Sequence, residues 1–340
     1  MSDNRYYGHL EDTLARSIRK RPAMYIGGTD FFGFIHYVVS AFDLMMDNHA
    51  TWIEFEAGNN LTLTSDAAIS TSLSDQGLME PFEDFQLINT RHLPDAAIVN
   101  ALSHQFRATT SDGITETIFE SARGERQLVE QRPTTNTTTS SKLEFSPDEQ
   151  IFKVTSVSPS VVHGYCRRMS CLHPGITFRI KSGDQVTEYK TDDGLLELFN
   201  SFTTPYQILH KPVRLCETEG DLTVAAMFAF HSWAEDKICS FANRGRVPDG
   251  GTHEDGLLKA IYQFRDSNRP FRPTGVLAVL TFEYPHVTYE GCVKNRIGNP
   301  ELTEAVAELV KRGTAKWLEA NPDEAELLRQ IEPFTFGESW

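Results

Sequence analysis

The sequence has no Cys-x-x-Cys pair, no apolar run long enough to cross a bilayer, and no excess of basic charge. Its five cysteines, Cys166, Cys171, Cys216, Cys239 and Cys292, are an odd number scattered through 340 residues. A chain of this size with that pattern does not depend on a disulfide framework. Cys166, Cys171 and His173 lie close in sequence but lack a fourth ligand and a common zinc spacing, so no metal is expected and the thiols should be buried and free. No apolar stretch approaches the roughly 18 residues that a membrane span requires. Residues 1–12 are polar, without a signal-peptide core. These absences lead us to expect a cytoplasmic protein with no membrane contact. The net charge is −15, which favours solubility, whereas a free-standing nucleic-acid binder usually carries basic surface. Contact with DNA would need a local basic face or a partner protein.

Enough apolar residue is present, 40% against 23% charged, to form globular cores, and the length suits two domains. Leu10, Leu14 and Ile18 recur every four residues and predict an amphipathic helix over 9–20, stopped by Pro22. Residues 21–28 read as an extended turn. Residues 33–47 repeat apolar positions at three and four and predict a buried helix. Alternating segments at 51–57 and 60–66 flank a Gly58-Asn59-Asn60 turn, a hairpin signal. Residues 67–91 read as irregular, and 96–103 as a short helix. Strands follow at 104–112, 114–122, 126–132, 141–147 and 176–183. The Thr/Ser-rich stretch 133–141 reads as a loop, and 161–175 as a helix ending at Pro174-Gly175. A helix over 192–202 is entered through Asp192 and Asp193, good N-cap residues. A second α/β unit then runs through strands at 221–232, 237–245 and 276–285, with helices at 252–267 and 301–322. The change of pattern near 186–194 divides the chain into expected domains 1–190 and 191–340.

Five stretches carry more specific information. They are Ile18-Arg19-Lys20-Arg21-Pro22-Ala23-Met24-Tyr25-Ile26-Gly27; the helix from Gly33 with His36-Tyr37-Val38-Val39 and Asp43; Ile98-Val99-Asn100-Ala101-Leu102-Ser103; Gly250-Gly251-Thr252-His253-Glu254-Asp255-Gly256; and Glu290-Gly291-Cys292-Val293-Lys294-Asn295-Arg296-Ile297-Gly298-Asn299. In this order they resemble the type IIA DNA topoisomerase B subunits, that is, the B subunits of DNA gyrase and of topoisomerase IV. The resemblance implies an α+β fold: a GHKL (Bergerat-type) α/β sandwich followed by a ribosomal-S5-domain-2-like transducer domain. It further implies a homodimer joined through an N-terminal arm, with Tyr6 and Tyr7 about where that arm carries a tyrosine. Topoisomerase subunits, or DNA reached through them, are the implied partners.

In that family ATP hydrolysis uses a glutamate base and an asparagine metal ligand one helical turn apart, a spacing that brings both to one phosphate. Read in register, those positions hold Ser40 and Leu44. An unassisted serine is a poor base, and leucine offers magnesium no oxygen. Asp47 and Asn48 fall on another face. The adenine aspartate corresponds to Asp66, followed by Ala67 and Ala68 where the family has glycines with freer backbones. Before the 98–103 helix, Asn89-Thr90-Arg91-His92-Leu93-Pro94-Asp95 contains no glycine to let backbone amides approach phosphate. Pro94 lacks a donor and Asp95 is anionic.

Ser141 and Lys294 match a phosphate-contacting hydroxyl and the γ-phosphate lysine. Asp66, Ser141 and Lys294 are thus the residual cofactor-binding candidates, with no catalytic or metal-binding residue expected. No Asp-x-Asp pair occurs anywhere, and the sequence stops near where the family's TOPRIM domain would begin, so this polypeptide is not expected to cleave DNA alone. The reading favoured by these losses is a pseudo-ATPase scaffold for dimerisation or partner binding, needing no cofactor. The alternatives are an ATPase subunit of a split topoisomerase, or a nucleotide sensor without hydrolysis that holds ATP and Mg²⁺ in a partly degenerate site.

Overall fold

A computed structural model of the chain describes residues 13–58, 60–84, 95–203, 206–233, 235–263, 275–291 and 295–330. The chain divides into two compact units, one of residues 1–170 with 174–190, the other of 171–173 with 191–340.

The first unit opens with α1 (Leu14–Lys20), α2 (Ala23–Ile26) and α3 (Phe31–Asp47). Thr13 caps α1 by accepting from the Arg16 amide. α2 forms where an extended turn was expected, because Gly27 (φ 78°) supplies a left-handed C-cap that closes a single turn. Asp30 caps α3 by accepting from the Phe32 and Gly33 amides. Gly33 is required by close approach: a Cβ there would sit 2.0 Å from the Gly28 carbonyl oxygen. The inward face of α3 buries Phe34, Tyr37, Val38, Ala41, Phe42 and Met45, the expected three- and four-residue repeat.

β1 (Trp52–Ala57) and β2 (Leu61–Ser65) form the expected hairpin. Within the stretch read as irregular lies a small ribbon, β3 (Ser72–Leu73) with β4 (Met79–Glu80); two-residue strands are too short to leave a periodic signal. α4 (Asp95–Leu102) is buried along its whole length. It leads into β5 (Ser103–Ser111), β6 (Thr115–Ala122), β7 (Glu125–Pro133) and β8 (Ser140–Pro147). α5 (Pro159–Leu172), β9 (Thr177–Ser182) and β10 (Gln185–Tyr189) follow. The strands make one sheet in the order β10-β9-β1-β2-β8-β5-β6-β7, antiparallel except where β1 meets β9. Aromatic clusters bind α3 to the sheet, Tyr37 with Phe145 and Phe152 and Phe42 with Phe55 and Tyr165, while Phe82 from the turn after β4 packs on Phe106 and Phe119 of the sheet.

In the second unit, α6 (Gly194–Thr203) begins where Asp193 accepts from the Leu196 amide. β11 (Val213–Glu219), β12 (Leu222–Phe230), β13 (Lys237–Ala242) and β14 (Gly245–Arg246) precede α7 (Thr252–Gln263) and β15 (Val276–Glu283). The chain continues through β16 (Tyr289–Glu290), β17 (Arg296–Ile297), α8 (Glu301–Ala320) and α9 (Pro322–Gln330). The main sheet runs β11-β12-β15-β13-β14, with β13 and β15 parallel and α7 between them in the chain. Its central strands are apolar on both faces, as sheets covered on two sides require. Val224, Ala226 and Phe228 share a core with Leu257, Val306 and Val310, while Met227 and Ala229 pack with Leu198 and Phe199. Cys166 and Cys171 are buried and in no disulfide among the described residues, whereas Cys216 is exposed; burial pushes the Cys166 thiol up to about 12.

His253 is wholly buried against the Phe282 ring, 5.1 Å between centroids, and neither ring nitrogen has a hydrogen-bond partner among the described residues. Burial, followed by the positive charge of Arg296, lowers its pKa from 6.5 to about 4. A base depressed in the folded state binds its proton first in the unfolded chain, so stability is lost as pH falls from 6.5 towards 4. The contribution is of order 3 kcal/mol. His253→Leu should therefore match or exceed the wild-type melting temperature at neutral pH, since it removes unsatisfied buried nitrogens. It should also flatten the decline between pH 6.5 and 4, as thermal melts across that range would show.

Candidate nucleotide site

α3 presents Ser40 and Leu44, the base and metal-ligand positions implied by the resemblance, to the protein interior, where they are 6% and 7% exposed. One helical turn separates them, and neither the Ser40 hydroxyl nor the Leu44 isobutyl group can replace a glutamate or an amide ligand. Between them Asp43 is half-buried. Its carboxyl is raised well above the ordinary range, first by burial and then by the negative charges of Asp95 and Asp47. The end of α3 is closed by Asn48, whose side-chain amide donates to the Leu44 carbonyl (2.7 Å) and whose oxygen accepts from the Ser70 amide (3.1 Å). Asn48 thus pins residue 70 to the helix, a long-range bond with no sequence signal.

Asp66 sits at the end of β2, and both its oxygens are engaged. Oδ1 accepts from the Thr51 and Trp52 amides at 2.9 and 3.2 Å, and Oδ2 from the Thr51 hydroxyl. Burial pushes this carboxyl upward, but the Thr51 hydroxyl and the two amides outweigh it and hold the pKa below the ordinary value. Thr139 donates to the Asp66 carbonyl at 2.7 Å. The next residues are drawn onto the sheet. Ala67 and Ile69 are buried, and the Ile69 amide donates to Thr110 Oγ1 (2.8 Å) and Ser141 Oγ (2.9 Å). Those hydroxyls are themselves hydrogen-bonded at 2.9 Å, and Ser141 is 1% exposed.

The structure therefore brings Asp66 and Ser141 near one another through the 66–69 segment and the pairing of Ser65 with Ser141 across β2 and β8. The phosphate-loop residues 89–94, the residual lysine Lys294 and the arm residues Tyr6 and Tyr7 lie outside the described residues. Where α4 begins, Asp95 is 9% exposed. Among the described residues no group of three or more His, Cys, Asp or Glu is placed to hold a metal ion. Likewise no described helix is long and apolar enough to cross a membrane.

No family model matches the chain, but individual proteins do. It is 24% identical over 359 residues to the DNA gyrase B subunit of Campylobacter jejuni, covering 92% of this chain and 46% of the relative. It is 22% identical to the DNA topoisomerase 4 B subunit of Mycoplasma genitalium, covering 92% of this chain and 56% of the relative. The chain spans about half the length of these curated relatives. Its fold superposes on the crystal structure of the 43K ATPase domain of Thermus thermophilus gyrase B in complex with an aminocoumarin. The TM-score is 0.76 at 23% identity, covering 93% of this chain and 94% of that one.

The fold is thus an α+β arrangement shared with the gyrase B 43K ATPase domain structure. Over 92% of its length the chain is similar to the B subunits of DNA gyrase and DNA topoisomerase 4 named above.

Proposed function

We propose that this chain is a gyrase-B-like module that no longer hydrolyses ATP and serves in the cytoplasm as a scaffold, for its own dimerisation or for a partner such as a topoisomerase subunit. The observation that carries the reading is the burial of Ser40 and Leu44 at the two positions where hydrolysis would need a base and a metal ligand. Hydrolysis requires a polarised water and an oxygen ligand for Mg²⁺ beside the phosphates. An aliphatic side chain at 7% exposure supplies no ligand and fills space that a hydrated ion would need. The donor set does not fit Mg-ATP, so no chemical step is assigned.

The surrounding polar groups support the same reading. In the structure the Asp66 carboxylate closes the start of β1, and the Ser141 hydroxyl holds the 69 amide. An adenine amino group would have to displace bonds that order the sheet. Losing base, ligand and phosphate-loop glycines together is harder to offset than losing one, because such groups act as a unit.

Calorimetric titration of the full chain with a non-hydrolysable ATP analogue and Mg²⁺, beside a steady-state ATPase assay, tests this. The expected result is no turnover above background and no adenine-dependent binding, the analogue giving no more saturable heat than tripolyphosphate alone. Turnover abolished by Lys294→Ala would instead establish an ATPase subunit, and tight adenine-dependent binding without turnover a nucleotide sensor.

A further inference from the structure

One concave surface of the first unit has a composition at odds with the acidity of the chain. A cleft of about 520 Å³ is lined by Arg16, Arg19, Lys20, His104, Arg123 and Gln127, with Glu125 and Ala122 completing its wall. Four cations face a single carboxylate in a protein of net charge −15. We propose that this cleft binds a compact anion carrying phosphate groups, a phosphate ester or a short polyphosphate chain. The proposal is independent of whether the nucleotide site is degenerate.

The cleft is built and held, not a chance gathering of mobile side chains. Arg16, Arg19 and Lys20 stand at i, i+3 and i+4 on α1, hence on one side of the helix. The turn joining β6 to β7 closes over the same region. Gly124 (φ 77°) comes so close to α1 and α4 that a Cβ would lie 2.6 Å from Ala15 Cβ and 3.1 Å from Ala101 Cα. That approach places Arg123, itself at φ 55°, beside α1. An arginine in the left-handed region is uncommon and costs backbone energy.

Behind the cleft, Asp148 fixes two of the guanidinium groups. Its side chain is 1% exposed, and Oδ2 accepts from Arg19 Nη2 at 2.5 Å and from Arg123 Nε at 3.1 Å. Arg19 is further held by donation to the Ala101 carbonyl at 2.8 Å. One buried carboxylate thus orients two arginines while neutralising only one charge. Arg123 makes this contact with Nε and keeps 43% of its side chain exposed.

At the rim, the ion pair of Arg16 with Glu125 is long, 3.5 Å, and its side chains are 55% and 68% exposed. Exposed pairs of this kind contribute little and yield readily to a stronger anion. The volume is that of a small-molecule site, but such sites are normally walled by apolar side chains. Walls of arginine and lysine select for charge, and the planar fork of arginine matches phosphate oxygens two at a time.

Titration calorimetry of the full chain with tripolyphosphate and with inorganic phosphate, at low and at high salt, tests the proposal. We expect saturable binding that weakens as salt rises. Arg16→Glu should weaken tripolyphosphate by about tenfold or more, and Gln127→Glu, on an exposed wall position, several-fold. Glu125→Gln should tighten it. Unchanged thermal melts would show that these surface variants fold. Absence of binding at millimolar tripolyphosphate overturns the proposal, as does binding that Arg16→Glu and Gln127→Glu leave unaltered. Binding abolished by Lys294→Ala but not by Arg16→Glu would place the anion elsewhere and also overturn it. A 20-nucleotide single-stranded DNA that binds in a cleft-dependent way while tripolyphosphate does not would replace the compact anion with a nucleic-acid backbone, and the proposal would fail.

Discussion

Restoring glutamate at position 40 and asparagine at position 44 should yield no ATP hydrolysis and a protein several kcal/mol less stable. Leu44 is 7% exposed, so Leu44→Asn loses about 2 kcal/mol of apolar burial and adds a polar amide in place of the isobutyl group. Ser40→Glu introduces a carboxyl at a site only 6% exposed. It lies one turn from Asp43, whose carboxyl is already driven upward by burial and by Asp95 and Asp47. A further acid there would sit protonated or repel its neighbours, and in neither case orient a water. The phosphate-loop sequence 89–95 still offers no glycine, and Leu44→Asn alone should be equally inactive. Steady-state ATPase assays and thermal melts of the single and double variants check both halves of this expectation. Measurable turnover from Leu44→Asn alone would overturn the pseudo-ATPase reading.

Asp148→Ala should destabilise the first unit by about 3–5 kcal/mol, the usual cost of removing one partner from a buried ion pair. The carboxylate joins Arg19 on α1, Arg123 at the β6–β7 turn and the Gln150 amide, which donates to Oδ1 at 3.0 Å. Burial pushes its pKa upward, but the Arg19 bond, the Gln150 amide and the charges of Arg19 and Arg123 more than offset this and leave it below 3.8. For an acid depressed in the folded state, the stabilisation is full above the unfolded value of 3.8 and is lost as pH falls through the lower folded one. Asp148→Ala should therefore cost most at neutral pH and progressively less below pH 3.8. Urea denaturation of wild type and variant at neutral and acid pH measures the difference. Because Asp148 also orients two arginines of the cleft, the variant should weaken phosphate binding as well. A variant of unchanged stability would show that the buried carboxylate is not the hub its contacts indicate.

Much of the architecture was legible where a residue's own pattern decides the outcome. The repeat on α3, the alternation across β1 and β2, and the unbroken apolar runs of β12 and β15 reflect helix and strand periods directly. The cap at Asp193 follows from local chemistry in the same way. Other elements were not legible. α2 is too short for a period and depends on Gly27, while β10 and β11 alternate too weakly and took their strand form from pairing with β9 and β12.

The candidate site divides along the same line. That positions 40 and 44 hold a hydroxyl and an aliphatic group is a statement of residue identity, and the sequence by itself determined it. That Asp66 binds the Thr51 and Trp52 amides, that Asn48 reaches Ser70, and that Asp148 gathers Arg19 and Arg123 from positions more than a hundred and about twenty-five residues away was decided only by the tertiary structure. Hydrogen bonds and ion pairs between remote segments depend on distances that the folded chain creates, and no local pattern encodes them.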